Sequence, residues 1–167
     1  APLGEYSGTP THNSVSAAVG LPEMMSDTYK VQTLFGGTLE RVPSSNLHPL
    51  GDKSVSGLKA EYFEGRDLEG EPKKVRIDKA VDFNWPRPLT NVDPDIPQPV
   101  FSVRWTGELI PNRTGKHIFS IEAHEGARVF INGEKILDIW KWGAEHSEMS
   151  EPVELEAGKA AQIRVEY

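Results

Sequence analysis

The sequence predicts a mainly β fold: an antiparallel β-sandwich preceded by a short α/β fragment. Bulky residues recur at every second position in several short runs, the rhythm of strands with one buried face. Glycine-containing pairs punctuate those runs closely enough for antiparallel neighbours, which favours a sandwich over alternating strands and helices.

Taken in chain order, the text from Leu3 to Thr11 is turn-rich, and Asn13 or Ser14 is placed to cap a short helix through Val15, Ala17, Ala18 and Leu21 that Pro22 ends. Tyr29, Val31, Thr33 and Phe35 then alternate like a strand, so residues 1–42 read as a piece of an α/β unit. Residues 43–56, from Pro43 through Asp52, are polar and proline-containing and read as a linker with too little apolar surface to order itself. The sandwich is expected over 57–167. Within it Phe101, Val103 and Trp105 share one side of an extended chain and Ser102, Arg104 and Thr106 the other. His117, Phe119 and Ile121 continue the pattern after the Thr114-Gly115 turn, followed by Ala127, Val129 and Ile131. Asn132-Gly133 closes a tight hairpin into Lys135, Ile136 and Leu137, because both turn positions need positive φ. Ala161, Ile163, Val165 and Tyr167 form the last run, after Ala157-Gly158.

Composition narrows the function classes. With 18 basic and 25 acidic residues the 167-residue chain carries a net charge of -7, which disfavours nucleic acid and anionic membranes as partners. The absence of cysteine excludes disulfides, thiolate metal sites and a cysteine nucleophile, and fits the periplasm, the extracellular space and the cytosol alike. No apolar run approaches the ~20 residues needed to cross a bilayer as a helix. The start at Ala1-Pro2-Leu3, with neither initiator methionine nor signal peptide, reads as an excerpt of a longer protein.

The block FSVRWTGELIPNRTGKHIFSIEAHEGARVFING from Phe101 to Gly133 resembles the signature of the anthrax protective-antigen-type β-sandwich, the PA14 domain. Gly57-Leu58-Lys59-Ala60-Glu61-Tyr62-Phe63, Leu68, Gly70, Pro72, Val81-Asp82-Phe83-Asn84-Trp85, Leu155 to Lys159 and Ile163 to Tyr167 extend the resemblance over about two-thirds of the chain. The earlier run LGEYSGTPT resembles the α/β domain of family-three glycoside hydrolases, the β-glucosidases and β-xylosidases, where many carry a PA14 insertion. The resemblance implies an accessory domain that recognises carbohydrate or leans over the catalytic pocket. Its partners would be a β-glucoside or β-xyloside oligosaccharide and the remainder of the parent hydrolase, in the periplasm or outside the cell, with the cytoplasm left open.

No catalytic residue is expected within the chain. Retaining glycosidases need two carboxyl groups about 5 Å apart, and the resemblance places the family's nucleophile before this region and its acid/base after it. Asp78 with Asp82, and Glu122 with Glu125, are the acidic pairs to consider, but on exposed strand faces they read as solvated. No nucleophile elbow is present either. Sugar-binding adhesins of the PA14 family hold calcium on two successive aspartates at the loop matching Ala123 to Gly126. Here that loop has His124-Glu125, which removes one hard oxygen ligand and lengthens the other, so no metal or cofactor is expected and the pair reads as a polar turn with Gly126 supplying backbone freedom.

The candidate carbohydrate contacts are Trp142, Arg87, Asn91, Asp93, Trp85, His124 and Glu125. Trp142 falls in a loop with no periodic partner. Arg87, Asn91 and Asp93 lie in the stretch Pro86–Pro99, whose five prolines remove amide donors and fix φ; a stiff loop loses little entropy on binding. Trp105 reads as core, and Trp85 and Trp140 as positions where packing competes with stacking on a sugar. A free-standing lectin or adhesin, a structural protein-interaction insert and a toxin translocation component are the alternatives.

Overall fold

The computed structural model describes residues 13–20, 32–35, 38–40, 42–85, 100–141 and 146–167. Among them the only helical turn is a short 3-10 segment, Ser44–Asn46, and everything else regular is strand. In order these are β1 Asn13–Gly20, β2 Gln32–Phe35, β3 Thr38–Glu40, β4 Leu47–His48, β5 Leu58–Glu64, β6 Lys74–Asp78, β7 Asp82–Trp85 and β8 Phe101–Leu109. They continue with β9 Gly115–His117, β10 Phe119–Ala123, β11 Arg128–Ile131, β12 Glu134–Asp138, β13 His146–Met149, β14 Val153–Leu155 and β15 Ala161–Glu166.

Two sheets carry the sandwich. Sheet B runs β12-β11-β15-β8-β5-β6, with β4 extending the β5 edge of β8. Sheet A runs β13-β10-β1-β2-β3, with β7 beside the first half of β1. A separate two-stranded ribbon joins β9 to β14. The period-two reading holds for the inner face of sheet B, where Ala60, Trp105, Val165 and Val129 lie side by side across β5, β8, β15 and β11 and are buried. They meet Phe119, Ile121 and Ala123 of β10 in one core. Phe83 of β7 stacks on Trp105 with ring centroids 5.8 Å apart, tying the sheets together.

Close packing sets the glycines. A Cβ on Gly107 in the middle of β8 would overlap the carbonyl oxygen of His48 on β4, so that position must lack a side chain. Asn132 and Gly133, at φ 49° and 82°, form the hairpin turn expected of them.

Three local readings are corrected. Asn13–Gly20 is not a capped helix but β1, antiparallel to β10 on one side and β7 on the other. Val15, Ala17 and Val19 also satisfy a period of two. An isolated helix of eight residues is marginal, whereas a strand between two open strands satisfies its backbone groups on both sides. Among the described residues no helix stands before the sandwich, and β2 joins the same sheet as β10. Residues 43–56, expected to lack order, hold the 3-10 turn and β4, and Leu47 is buried opposite Leu109. Asn46 anchors this segment by donating its side-chain amide to the Ile110 carbonyl, 2.7 Å away. Finally, His117 and Phe119 do not share a strand: the chain changes sheet at Ile118, from β9 to β10.

At the edge of sheet B the core contains a carboxylate. Asp78 is buried and accepts hydrogen bonds from the Tyr62 hydroxyl at 2.5 Å, the Trp105 Nε1 at 2.9 Å and the Arg76 Nε at 2.8 Å. The Arg76 Nη2 closes the network by donating to the Tyr62 oxygen at 2.8 Å. Asp78 therefore does not fit the expectation of a solvated acid on an exposed strand face. It sits where Leu58 of β5 pairs with it, on the inner side of the sheet. Burial, then the hydrogen bond to Asp78, push the Tyr62 phenol far above its ordinary range.

Replacing Asp78 with alanine strands two buried donors and a guanidinium, and is expected to cost about 3 kcal/mol of unfolding free energy in urea titration; a loss under about 1 kcal/mol would show the network to be dispensable. Tyr62 sets an alkaline limit. Because its folded ionisation lies above the unfolded value near 10, the unfolded chain releases this proton first, so stability is intact below pH ~10 and falls as pH rises beyond it, by up to about 1.4 kcal/mol per pH unit from this group. Tyr62→Phe is expected to flatten that slope, and an unchanged slope would contradict the assignment.

Candidate functional site

Register brings three strand ends together at one end of sheet A. Trp85 ends β7 opposite Asn13, Ala123 ends β10 opposite Val15, and His146 begins β13 opposite Ala123. From these neighbouring strand ends depart the proline-rich stretch after Trp85, the His124-Glu125 turn and the segment that joins Lys141 to His146. Arg87, Asn91, Asp93 and Trp142 lie outside the described residues, as do Tyr29, Val31 and Leu21; Trp85 is placed on β7 by its backbone pairing.

The described part of this end is partly polar and partly sealed. His124 and His146 are half-buried, and the Nδ1 of His124 and the Nε2 of His146 are closed off from solvent without a hydrogen-bond partner among the described residues. Glu125 is half-buried and engaged with a neighbour. Behind them, Glu122 is buried in β10 between Ser147 of β13 and Ser16 of β1, with Asp82 of β7 next across the sheet. The expected solvated acid at Glu122 is thus a buried one, because β10 is central and packed on both faces. Among the described residues no group of three or more His, Asp or Glu side chains is placed to hold a metal ion.

Gly126 does its work by being small. Its φ is not in the left-handed region, contrary to the expected role as a flexible turn residue. A Cβ there would lie 3.1 Å from Trp140, which the reciprocal hydrogen bonds between Ala127 and Ile139 hold across the hairpin. The Trp140 ring carries the Arg128 guanidinium 3.8 Å from its centroid. Packing therefore accounts for Trp140, and its stacked face is occupied by a cation rather than open to a sugar.

The largest cluster that sequence reasoning missed lies on the opposite, outer face of sheet B. Arg104, Glu166 and Arg128 stand side by side on β8, β15 and β11. The Glu166 carboxylate lies 3.2 Å from the Arg104 Nε, 3.3 Å from the Arg128 Nε and 3.9 Å from the Arg164 Nε. The alternation of these charged residues with apolar ones was visible, but only the register shows that they meet.

Residues 54–167 match the PA14 domain family model, and the chain belongs to that family. Two relatives show where the domain recurs. The chain is 38% identical over 137 residues to the anti-sigma-I factor RsgI3 of Acetivibrio thermocellus, covering 77% of this chain and 20% of that one. It is 29% identical over 164 residues to a β-glucosidase of Rhizobium radiobacter, covering 93% of this chain and 19% of that one. The chain thus spans about a fifth of the length of these curated relatives. Among solved structures, an anti-sigma factor domain-containing protein from Clostridium clariflavum aligns with a TM-score of 0.60 at 31% identity, over 66% of this chain and 37% of that one. The β-glucosidase of Kluyveromyces marxianus in complex with glucose aligns with a TM-score of 0.52 at 27% identity, over 75% and 16%. The sandwich is therefore a PA14 domain similar to parts of β-glucosidases and of anti-sigma factors.

Trp140→Ala removes the ring from beneath Arg128 and opens a gap beside Gly126. It is expected to lower unfolding free energy by about 2 kcal/mol in chemical denaturation, and Gly126→Ala, whose Cβ would press on both the Trp140 ring and its Cα at 3.1–3.2 Å, should also cost about 1–2 kcal/mol. Equal stability of Trp140→Ala and the parent chain would remove the ring from its structural role.

Proposed function

We propose that this chain is a non-catalytic carbohydrate-recognition module of a larger protein, and that it meets its sugar at the loop-bearing end of sheet A. The observation that carries this reading is the register that sets the ends of β7 and β10 and the start of β13 side by side. The sequence stretches that carry Arg87, Asn91 and Asp93, and Trp142, continue from those strand ends, as does the turn with His124 and Glu125. In a parent of the β-glucosidase or β-xylosidase type, of glycoside hydrolase family three, the module would border the aglycone side of the catalytic pocket. That reading draws on the two β-glucosidase relatives. On that reading the parent would lie in the periplasm or outside the cell, with the cytoplasm left open, and the site would need no calcium at His124-Glu125.

A second parent is favoured by the 38% identity to an anti-sigma factor, in which the same surface would sense a saccharide and report it to the rest of the protein. The two parents differ in what flanks the module, and sugar recognition is common to both. A shallow polar site exchanges water for protein partners with little net gain, so affinity should be weak, with Kd of about 1 mM.

The test uses the purified 167-residue chain. It should not hydrolyse aryl β-glucosides or β-xylosides. It should bind gluco- or xylo-oligosaccharides in calorimetry with the same affinity before and after chelation, and Trp142→Ala should weaken that binding about tenfold, near 1.4 kcal/mol. Turnover abolished by one Asp or Glu substitution would make the chain an enzyme. Absence of any neutral sugar binding would leave a structural insert.

A further inference from the structure

The charged cluster on the outer face of sheet B has no part in the site just described. We propose that it is an anion-binding site for carboxylate-bearing saccharides, formed by Arg104, Arg128 and Arg164 around Glu166. The saccharide half of this assignment rests on the carbohydrate reading above, and the carboxylate half rests on the arginines alone.

Three guanidiniums share one carboxylate. Glu166 is buried, its side chain 7% exposed, while the arginine side chains are 31%, 28% and 44% exposed. The cluster therefore keeps a surplus of two positive charges at a solvent-reached surface, in a chain whose net charge is -7. The flanking acids have lysine partners of their own, and Asp138 also feels the Arg128 charge. Glu61, opposite Arg104, pairs with Lys59 at 3.4 Å, and Asp138, opposite Arg128, pairs with Lys135 at 2.6 Å.

Each arginine approaches Glu166 through its Nε, which leaves the terminal Nη groups for a second acceptor. Aromatic faces hold the guanidiniums in place: Arg104 lies over Phe63 at 5.4 Å, Arg128 over Trp140 at 3.8 Å and Arg164 over Phe130 at 3.9 Å. Guanidiniums fixed in this way offer planar forks that match carboxylates two N–H bonds at a time, and little entropy is lost when a ligand engages them. The arginines stand on β8, β15 and β11, all interior to the sheet, so the main-chain groups there are paired with neighbouring strands. An acidic peptide gains no added-strand hydrogen bonds on such a face. A rigid polymer with a carboxylate on successive rings uses the forks directly.

The experiment is calorimetry of the 167-residue chain with alginate oligomers, which are uronate polymers, at low ionic strength. Binding is expected, weaker with added salt and about tenfold weaker in Arg128→Gln/Arg164→Gln. Glu166→Gln should bind more tightly, because it removes the internal competitor for the same forks; a merely structural cluster predicts no such gain. If Glu166→Gln does not fold, Arg164→Gln alone, at the most exposed arginine, must still weaken binding. No alginate binding up to about 1 mM, equal binding by the double variant, or equally tight binding of polyglutamate or heparin would each overturn the assignment. Neutral oligosaccharides separate the two readings: their binding should be untouched by the arginine variants, and alginate binding without neutral-sugar binding would sustain this site while refuting the other.

Discussion

The sandwich depends on a carboxylate inside its own core. Trp105 is fully buried at the centre of the inner face of sheet B, and its indole N–H needs an acceptor that no apolar neighbour supplies. Asp78 supplies it, together with an acceptor for the Tyr62 hydroxyl, and Arg76 from the same strand balances the charge. A charge removed from water without such partners is costly. The network fixes more than its own atoms: with Asp78, Tyr62 and Trp105 on three adjacent strands, the register of β6 on β5 and of β5 on β8 is locked, since a one-residue slip would turn Asp78 outward.

Once that register is set, the two faces of sheet B follow. Inward, Ala60, Trp105, Val165 and Val129 make one apolar row. Outward, the next row reads Glu61, Arg104, Glu166, Arg128 and Asp138, charges of alternating sign across five strands. Opposite charges at directly facing positions stabilise a sheet modestly, and the aromatic rings under the guanidiniums add to that. Loop and edge contacts complete the outer face near Ser102, whose hydroxyl accepts from the Leu68 amide at 3.1 Å.

Much of this was legible in the sequence. The strands around Phe101 to Thr106, Ala127 to Ile131 and Ala161 to Tyr167 and the Asn132-Gly133 turn followed from period-two alternation and turn chemistry, and the family from the resemblance carried by the block Phe101 to Gly133. Three kinds of information did not. Val15, Ala17 and Val19 fit a helix or a strand, and only the open edges of β10 and β7 decide between them. Leu47 looks isolated in a polar stretch, yet its partner Leu109 lies 62 positions away, beyond any local pattern. The candidate site was legible as a set of loop residues, but that their attachment points share one sheet end is a fact of pairing between β1, β7, β10 and β13. Buried acids were misread for the same reason: pairing with Leu58 turns Asp78 to the inner face of sheet B, and Glu122 lies on a strand buried on both faces, neither of which a local pattern shows.

The division of labour between the two sheets has a physical logic. The ends of β7, β10 and β13 meet at one end of sheet A, and segments that connect strand ends can vary in side chains with less effect on a core than the strands themselves. Sheet B has its interior strands fully paired and its outer face built from long side chains pinned to one another, so chemistry there is fixed by register rather than by loop conformation. A neutral sugar is recognised through many weak hydroxyl contacts, which several chain segments converging on one sheet end can share. A charged group suits the rigid face, because preorganised guanidiniums need not rearrange to meet it. If both proposed surfaces exist, the same core would support two different chemistries, and a change in one need not disturb the other so long as Asp78 holds the strands in register.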